Sequence, residues 1–249
     1  MAELVDARVS EARGSNLVMV RFHSSAPNIR DEGLNGLCPF FIMPDELLTA
    51  IKTHEAAFGL SLSDNQIARL KQFYSIIQEH NQILHLVGPM SPEEFVVRHI
   101  LESLTMLEYM PENTRFADIG AGAGLPSIPC LLVRENLRAV LIESKVRKAN
   151  YLVKAVSDLG IADRAQIVNL QFEEASPVGV SVIACRALDK FTQKLPKLLK
   201  WSHGRTLLLF GGPALHDAFA SQKIQFEQKL LPMSEQRYLF VVRHLHPAI

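Results

Sequence analysis

The sequence predicts an α/β protein in which a doubly wound sheet follows a small helical cap. Beyond Pro111, short apolar runs typical of strands alternate with amphipathic stretches typical of helices. A glycine-rich loop directly follows the first of these strands, as in nucleotide-binding α/β folds. Before Pro111, apolar residues recur at helical spacing instead. These three observations define the fold class.

The helical cap is expected over residues 43–110. Asp64 is predicted to cap its first long helix, whose apolar residues recur every three or four positions. Ser91–Glu94 is a typical start for the second helix, with a capping serine, a proline in the first turn and two acids at the positive end of the dipole. The buried stripe of that helix is expected at Phe95, Val96, Ile100, Leu104 and Leu107.

Residues 111–249 are expected to form a ligand-binding domain. The predicted strands are Arg115–Ile119, Arg138–Glu143, Ala165–Leu170, Val180–Cys185, Arg205–Phe210, Ile224–Leu231 and Arg237–Val242. Helices are predicted over Lys145–Leu159, closed by Gly160, and over Lys190–Trp201, kinked at Pro196. Helical crossovers between strands predict a parallel sheet.

Residues 1–42 lack any sustained period and are rich in Gly, Ser, Asn and Pro. Two interpretations stay open for this segment. It is either a genuine disordered arm or a spurious extension that precedes a natural start at Met43.

Composition excludes several classes of protein. Lys plus Arg and Asp plus Glu both number 26, so no global positive charge attracts nucleic acid, and an RNA partner needs a local patch. The three cysteines are far apart, which argues against a disulfide scaffold or a metal cluster and favours the reduced cytoplasm. No apolar stretch reaches the about 20 residues that cross a bilayer. We expect a monomer without metal or membrane contact.

The glycine loop Gly120-Ala121-Gly122-Ala123-Gly124 is the strongest functional signal. It lies at the carboxyl edge of the predicted sheet, where open α/β folds bind nucleotides. Glu143 ends the next strand at the position where an acid binds ribose hydroxyls. The third glycine comes one residue too early for a dinucleotide fingerprint, and Asp118 disfavours a pyrophosphate but suits a cationic ligand. The pattern predicts S-adenosylmethionine, and a purely structural turn is the alternative.

Two strings carry a resemblance to a known family: His99-Ile100-Leu101-Glu102-Ser103-Leu104 and the segment from Asp118 to Pro129. The similarity extends through Asn81, Glu143-Ser144, Phe172-Glu173-Glu174, Cys185-Arg186-Ala187 and Arg237. Over about residues 60–243 the chain resembles the bacterial 16S ribosomal RNA guanine-N7 methyltransferases, also called glucose-inhibited division protein B or methyltransferase G. The resemblance implies a Rossmann-like class I methyltransferase fold, S-adenosylmethionine as cofactor, and 16S rRNA or an assembling small ribosomal subunit as partner.

The resemblance also implies roles for individual residues. It places cofactor contacts at Gly120, Leu125 and the backbone of Phe172-Glu173, and it places Arg186 in the active site. With the loop reading, the expected cofactor-binding residues are Asp118, Gly120, Gly122, Gly124, Leu125, Glu143, Phe172 and Glu173. The chain departs from the family at several positions, and the most consequential is Phe210, where the family commonly has lysine.

Arg186 is expected as the catalytic residue and, with His99 and Arg237, as a substrate contact. As a strand-end side chain open to the cleft, Arg186 is expected to contribute little to stability. Its alternative role is an ion pair with Asp189 or Glu143, and His99 has the alternative of a structural histidine that pairs with Glu102.

Two clusters of basic residues are either solvated faces or a patch for the rRNA backbone. They consist of Lys190, Lys194 and Lys197, and of Lys145, Arg147 and Lys148.

The function expected from these signals is methylation of guanine N7 in 16S rRNA. Two alternatives stay open. One is a methyltransferase that acts on a small molecule or protein, favoured by the zero net charge and the missing lysine. The other is a non-catalytic protein that binds S-adenosylmethionine.

Overall fold

The structure is a computed structural model that describes residues 44–186 and 191–243. The arm predicted at 1–42 lies outside the described residues. The helices are α1 (Pro44–His54), α2 (Asp64–Leu84), α3 (Pro92–Phe95), α4 (Glu102–Leu104), α5 (Ser127–Val133), α6 (Val146–Asp158), α7 (Phe191–Ser202) and α8 (Pro213–Ser221). The strands are β1 (Arg115–Ile119), β2 (Arg138–Ile142), β3 (Ala165–Val168), β4 (Val182–Cys185), β5 (Thr206–Gly211), β6 (Glu227–Leu230) and β7 (Tyr238–Val242).

The seven strands form one sheet in the order β3-β2-β1-β4-β5-β7-β6. Strands β1 to β5 are parallel, which confirms the predicted doubly wound α/β class. Strand β7 runs antiparallel to both β5 and β6. The short connection between β6 and β7 is long enough for a hairpin but not for a parallel crossover, so these two strands pair antiparallel. Because β1 and β4 are neighbours, the crevice where the strand order reverses lies at their carboxyl ends.

The cap begins with capped helices, as predicted, although one cap is assigned to the wrong residue. Ser63, not Asp64, caps α2: its hydroxyl accepts from the Gln66 backbone N–H, and Gln66 Oε1 accepts from the Ser63 backbone N–H, which is a capping box. The Gln66 side chain also donates to the Val133 carbonyl at 2.8 Å and so ties α2 to α5. Ser91 caps α3 as predicted, with Pro92 in the first turn.

The helix that starts at Pro92 changes its hydrogen-bonding pattern along its length. A π-helical segment, Val96–Leu101, links α3 to α4, and a 3₁₀ segment, Thr105–Tyr109, follows α4. All five residues of the predicted apolar stripe are buried. A π-helical insertion turns the helix surface out of its regular register. This segment carries Arg98 and His99, which face the end of the sheet.

Two hydrophobic clusters cover the two faces of the sheet. The first, called here the cap-side core, joins apolar residues of α1 and α2 with Phe116 of β1, Ala184 of β4 and Leu239 of β7. The second contains Ala117 and Ile119 of β1 together with apolar residues of α7 and α8. Helices on both faces are what a doubly wound sheet requires. Among the described helices, none is both long and apolar enough to span a membrane.

Candidate cofactor and substrate site

The glycine loop turns back at the end of β1 in left-handed backbone conformations. The φ angles of Gly120, Gly122 and Gly124 are +68°, +52° and +85°, a region that side chains with a β-carbon rarely adopt. The Gly120 N–H donates to the Ile142 carbonyl at 2.8 Å, which fixes the loop against the end of β2. A β-carbon on Gly124 would lie 2.3 Å from Ile128 Cδ1, so this glycine is also required for packing.

Glu143 joins the ends of three strands. Its Oε2 accepts from the Gly122 backbone N–H at 3.0 Å, and its Oε1 accepts from the Lys145 backbone N–H at 2.8 Å. Asn169, after β3, donates from Nδ2 to the Glu143 carbonyl at 2.8 Å. The side chain is buried yet stands at the sheet edge beside the loop, in the position predicted for an acid that accepts ribose hydroxyls. No sequence signal pointed to Asn169.

Asp118 lies beneath the loop, and a direct contact with a ligand is not available to it in this structure. The residue is fully buried, and Ser127 Oγ donates to its Oδ2 at 2.5 Å. Its Oδ1 has no hydrogen-bond partner among the described residues. Burial raises the pKa of Asp118 to about 7, and the hydrogen bond from Ser127 opposes the rise. The reason is strand alternation: Phe116 points into the cap-side core, so Asp118, two residues on, points the same way.

Arg186 is held by the cap, which corrects the expectation of a side chain open to the cleft. Only 14% of its side chain is exposed, and Nη2 donates to Glu102 Oε2 at 2.9 Å and to the Arg98 carbonyl. Its guanidinium carbon lies 5.2 Å from the centre of the Phe210 ring, a cation–π contact. Arg237 Nε donates to the other Glu102 oxygen at 2.7 Å. Glu102, 1% exposed, therefore bridges both arginines, and neither Asp189, which lies outside the described residues, nor Glu143 is needed as a partner.

His99 is neutral in these surroundings. Burial, together with the positive charges of Arg186, Arg98 and Arg237, lowers its pKa to about 3. The ring packs edge-on against Phe95 with 5.2 Å between centroids. Both ring nitrogens are buried without a hydrogen-bond partner among the described residues. The alternative of a pair between His99 and Glu102 is wrong, because neither ring nitrogen has a partner among the described residues, and the Glu102 oxygens accept from Arg186 and Arg237 instead.

Phe172 and Glu173 follow β3, and Leu125 lies in the segment between β1 and α5. Phe172 is buried, and its ring meets Trp201 edge-on at 5.8 Å. Glu173 Oε1 lies 3.9 Å from Lys197 Nζ, and the two side chains form an exposed ion pair. Leu125 is buried within the cap-side core. For Phe172 and Leu125, the side chains belong to the core, so any ligand contact runs through their backbones.

The predicted basic clusters are mostly solvated. Lys145 and Arg147 are exposed, and Lys148 is half-buried with Nζ 3.5 Å from the His85 carbonyl. Lys197 is exposed, Lys194 is partly exposed, and Lys190 lies outside the described residues. The basic residue that sequence reasoning missed is Arg98, which had no motif to mark it.

The chain is similar in sequence to proteins named as methyltransferases. A family model described as GidB, rRNA small subunit methyltransferase G, matches residues 66–241. A protein named Ribosomal RNA small subunit methyltransferase G from Nitrosospira multiformis is 36% identical over 135 residues, which are 54% of this chain and 62% of that protein. A protein of the same name from Azoarcus sp. is 35% identical over 142 residues, 55% of this chain and 66% of its own length. Both matches span less than two thirds of the relative.

Among solved structures, the METTL16 MTase domain matches with a TM-score of 0.50 and 12% sequence identity. The match covers 82% of this chain and 93% of that one. At this identity the likeness concerns the fold alone.

Proposed function

Because the chain belongs to the GidB family, we propose that it is an S-adenosylmethionine-dependent enzyme that methylates N7 of a guanine in 16S rRNA. The observation that carries the proposal is the junction of Glu143 with the glycine loop. It places a carboxylate 3.0 Å from the Gly122 nitrogen at the carboxyl ends of β1 and β2, next to the crevice between β1 and β4.

The residues at this junction fit S-adenosylmethionine. Glu143 retains oxygen lone pairs for ribose hydroxyls after accepting two backbone N–H groups. Gly120 and Gly122 leave the loop backbone open to close approach, and the backbone at Phe172 and Glu173 borders the same edge. Asp118 supports the loop from below through Ser127. When bound, the cofactor supplies an electrophilic methyl group.

The chain's own contribution to the reaction is position and charge. Guanine N7 has a lone pair and no proton, so no general base is required. The protein has to hold N7 in line with the methyl group at about 3–3.5 Å. Arg186 follows β4 at the crevice, and its planar group of donors suits either guanine O6 or a phosphate. Arg237 and His99 lie beside it, and we assign all three to the substrate.

The RNA has to present an unpaired or splayed guanine. The major groove of A-form RNA is too narrow for a protein side chain to reach N7 within a helix. The enzyme therefore acts on a single-stranded segment or extrudes its target from the stack. Naked 16S rRNA and the assembling small subunit are the two forms in which such a segment is offered.

The test is methyl transfer from labelled S-adenosylmethionine to small subunits and to naked 16S rRNA, both from cells that lack the modification. Strand cleavage at N7-methylguanine followed by primer extension locates the product. We expect one labelled guanine, and a large loss of transfer with Glu143→Ala but not with the exposed Glu135→Ala. Label in protein or small molecules, or cofactor binding without any transfer to rRNA, would contradict the proposal.

A further inference from the structure

The side chains around Glu102 carry more positive charge than their own acids neutralise. Three arginines, Arg98, Arg186 and Arg237, converge there with His99, and this group is called here the arginine cluster. Within it, Glu102 binds Arg186 and Arg237, while Glu94 Oε1 accepts from Arg98 at 2.5 Å. Three guanidinium groups thus form ion pairs with two carboxylates, and the third acid nearby, Asp118, is buried with a pKa of about 7 and interacts with Arg186 only through its charge.

Several nitrogen atoms in the cluster have no hydrogen-bond partner among the described residues. Arg186 Nη1 and Arg98 Nε are buried without a hydrogen-bond partner among the described residues, as are both nitrogens of His99. A buried polar group without a partner is destabilising, and more so when it is charged. Four such atoms in one place indicate a site that a ligand completes. With His99 neutral, three of the four can donate to an anion, because a neutral imidazole offers one N–H, and all four can donate once His99 is protonated.

The cluster also has a route to solvent. The Arg186 side chain is 14% exposed and the ring nitrogens of His99 are buried, whereas the side chains of Arg98 and Arg237 are 42% and 36% exposed. The ion pair that holds Arg98 to Glu94 lies at the surface, where such pairs contribute little to stability. An incoming anion can therefore replace Glu94 on Arg98 at little cost and reach the groups beneath.

We propose that the arginine cluster binds one phosphodiester of the RNA substrate and that His99 takes up a proton from solvent as the phosphate binds. This inference rests on the proposed function and goes further, since it assigns the cluster to the RNA backbone and not to the base. The charges that lower the pKa of His99 are those of Arg98 from its own helix, Arg186 after β4 and Arg237 before β7, and Glu102 offsets part of this charge through its ion pairs with Arg186 and Arg237. A bound phosphate opposes the remaining positive field and favours the imidazolium, which donates from both nitrogens.

The first experiment follows the His99 imidazole by NMR between pH 4 and 8 in the full chain, with His99→Gln to assign its signal. The probes are sulfate and a short oligouridylate without a terminal phosphate, because neither changes charge in this range. Without a probe, His99 should stay neutral over nearly the whole range, because its pKa is about 3. With either probe at saturation we expect a midpoint above pH 6, about three units higher, which is about a thousandfold gain in proton affinity. A midpoint that stays below pH 6 with saturating probe overturns the inference.

The second experiment measures oligonucleotide affinity at pH 6 and pH 8. Wild-type protein should bind more tightly at pH 6, by up to about tenfold per unit, and His99→Gln should lose this gain. Glu94→Gln, a surface change, should strengthen binding about two- to fivefold by freeing Arg98. The matched control is Glu79→Gln, an exposed glutamate on α2. If Glu94→Gln behaves like Glu79→Gln, the cluster is not the phosphate site.

Methyl transfer to rRNA, measured in parallel, separates the two proposals. Transfer to rRNA without a response of His99 overturns the phosphate site alone. A response of His99 to sulfate but not to the oligonucleotide, without transfer to rRNA, overturns both the RNA assignment and the proposed function.

Discussion

Replacing Arg186 by alanine removes three interactions at once. The variant loses a charged hydrogen bond to Glu102, a hydrogen bond to the Arg98 carbonyl and the contact with the Phe210 ring. The charged hydrogen bond contributes about 1.5–3 kcal/mol and the hydrogen bond to the carbonyl about 1 kcal/mol. The contact with the ring contributes about 0.5–2 kcal/mol. Glu102 keeps Arg237 on its other oxygen, so the buried carboxylate does not lose every partner. Arg186→Ala should therefore lower the free energy of unfolding by about 3 kcal/mol, near the lower end for breaking a buried pair.

Urea unfolding measures this loss, followed through the fluorescence of Trp201, the single tryptophan of the chain. The matched control is Arg243→Ala, which removes an arginine from an exposed pair with Glu227 and should cost less than about 1 kcal/mol. A double-mutant cycle with Glu102→Gln should give a coupling energy of about 1–3 kcal/mol.

A loss from Arg186→Ala no larger than that from Arg243→Ala would refute the bridge between the cap and the sheet. It would restore the expectation from sequence, in which the strand-end arginine is open to the cleft and contributes little to stability. Arg186→Lys keeps the charge but not the planar fork, so it should recover only part of the stability.

Three further predictions concern the cofactor edge. Gly122 and Gly160 have φ angles of +52° and +64°, so Gly122→Ala and its control Gly160→Ala should each lower the free energy of unfolding by about 1–2 kcal/mol. In calorimetry, only Gly122→Ala should weaken S-adenosylmethionine binding, and equal affinities of the two variants would show that the loop does not bind the cofactor. Glu143→Gln places an amide N–H₂ against a backbone N–H and should weaken cofactor binding by about 1–3 kcal/mol; wild-type affinity would contradict the ribose assignment. The pKa of Asp118 in the folded protein, about 7, exceeds its value in the unfolded chain, so its contribution to stability falls as pH rises from about 4 to 7. Urea unfolding over this pH range should show the fall in the wild-type protein but not in Asp118→Asn.

Much of the sheet could be predicted because buried strands leave a strong local signal. Strand β1 is predicted to the residue, and the other strands within about three residues at either end. Ser63 could have been found as well, because Ser63 and Gln66 show the spacing of a capping box. The antiparallel insertion of β7 between β5 and β6 could not, because strand order depends on packing that no local pattern records.

The charged bridge could not be predicted because its members are distant in sequence. Glu102 is separated by 84 residues from Arg186 and by 135 from Arg237. Local spacing compares residues within a turn or a strand and offered Asp189 as a partner for Arg186, while the predicted strand ends offered Glu143; neither signal pointed to Glu102. The same limit hid Arg98, whose importance comes only from its neighbours in space.

Once the cap is known to cover one face of the sheet, strand alternation explains why these charges meet. Ala184 belongs to the cap-side core, and Arg186, two residues later, points to the same side. Leu239 belongs to that core as well, and Arg237 precedes it by two residues on the same side. Phe210 lies there too, where its ring supports Arg186. Two strand ends thus bring their arginines to one buried carboxylate of the cap, so the cap forms one wall of the proposed substrate site.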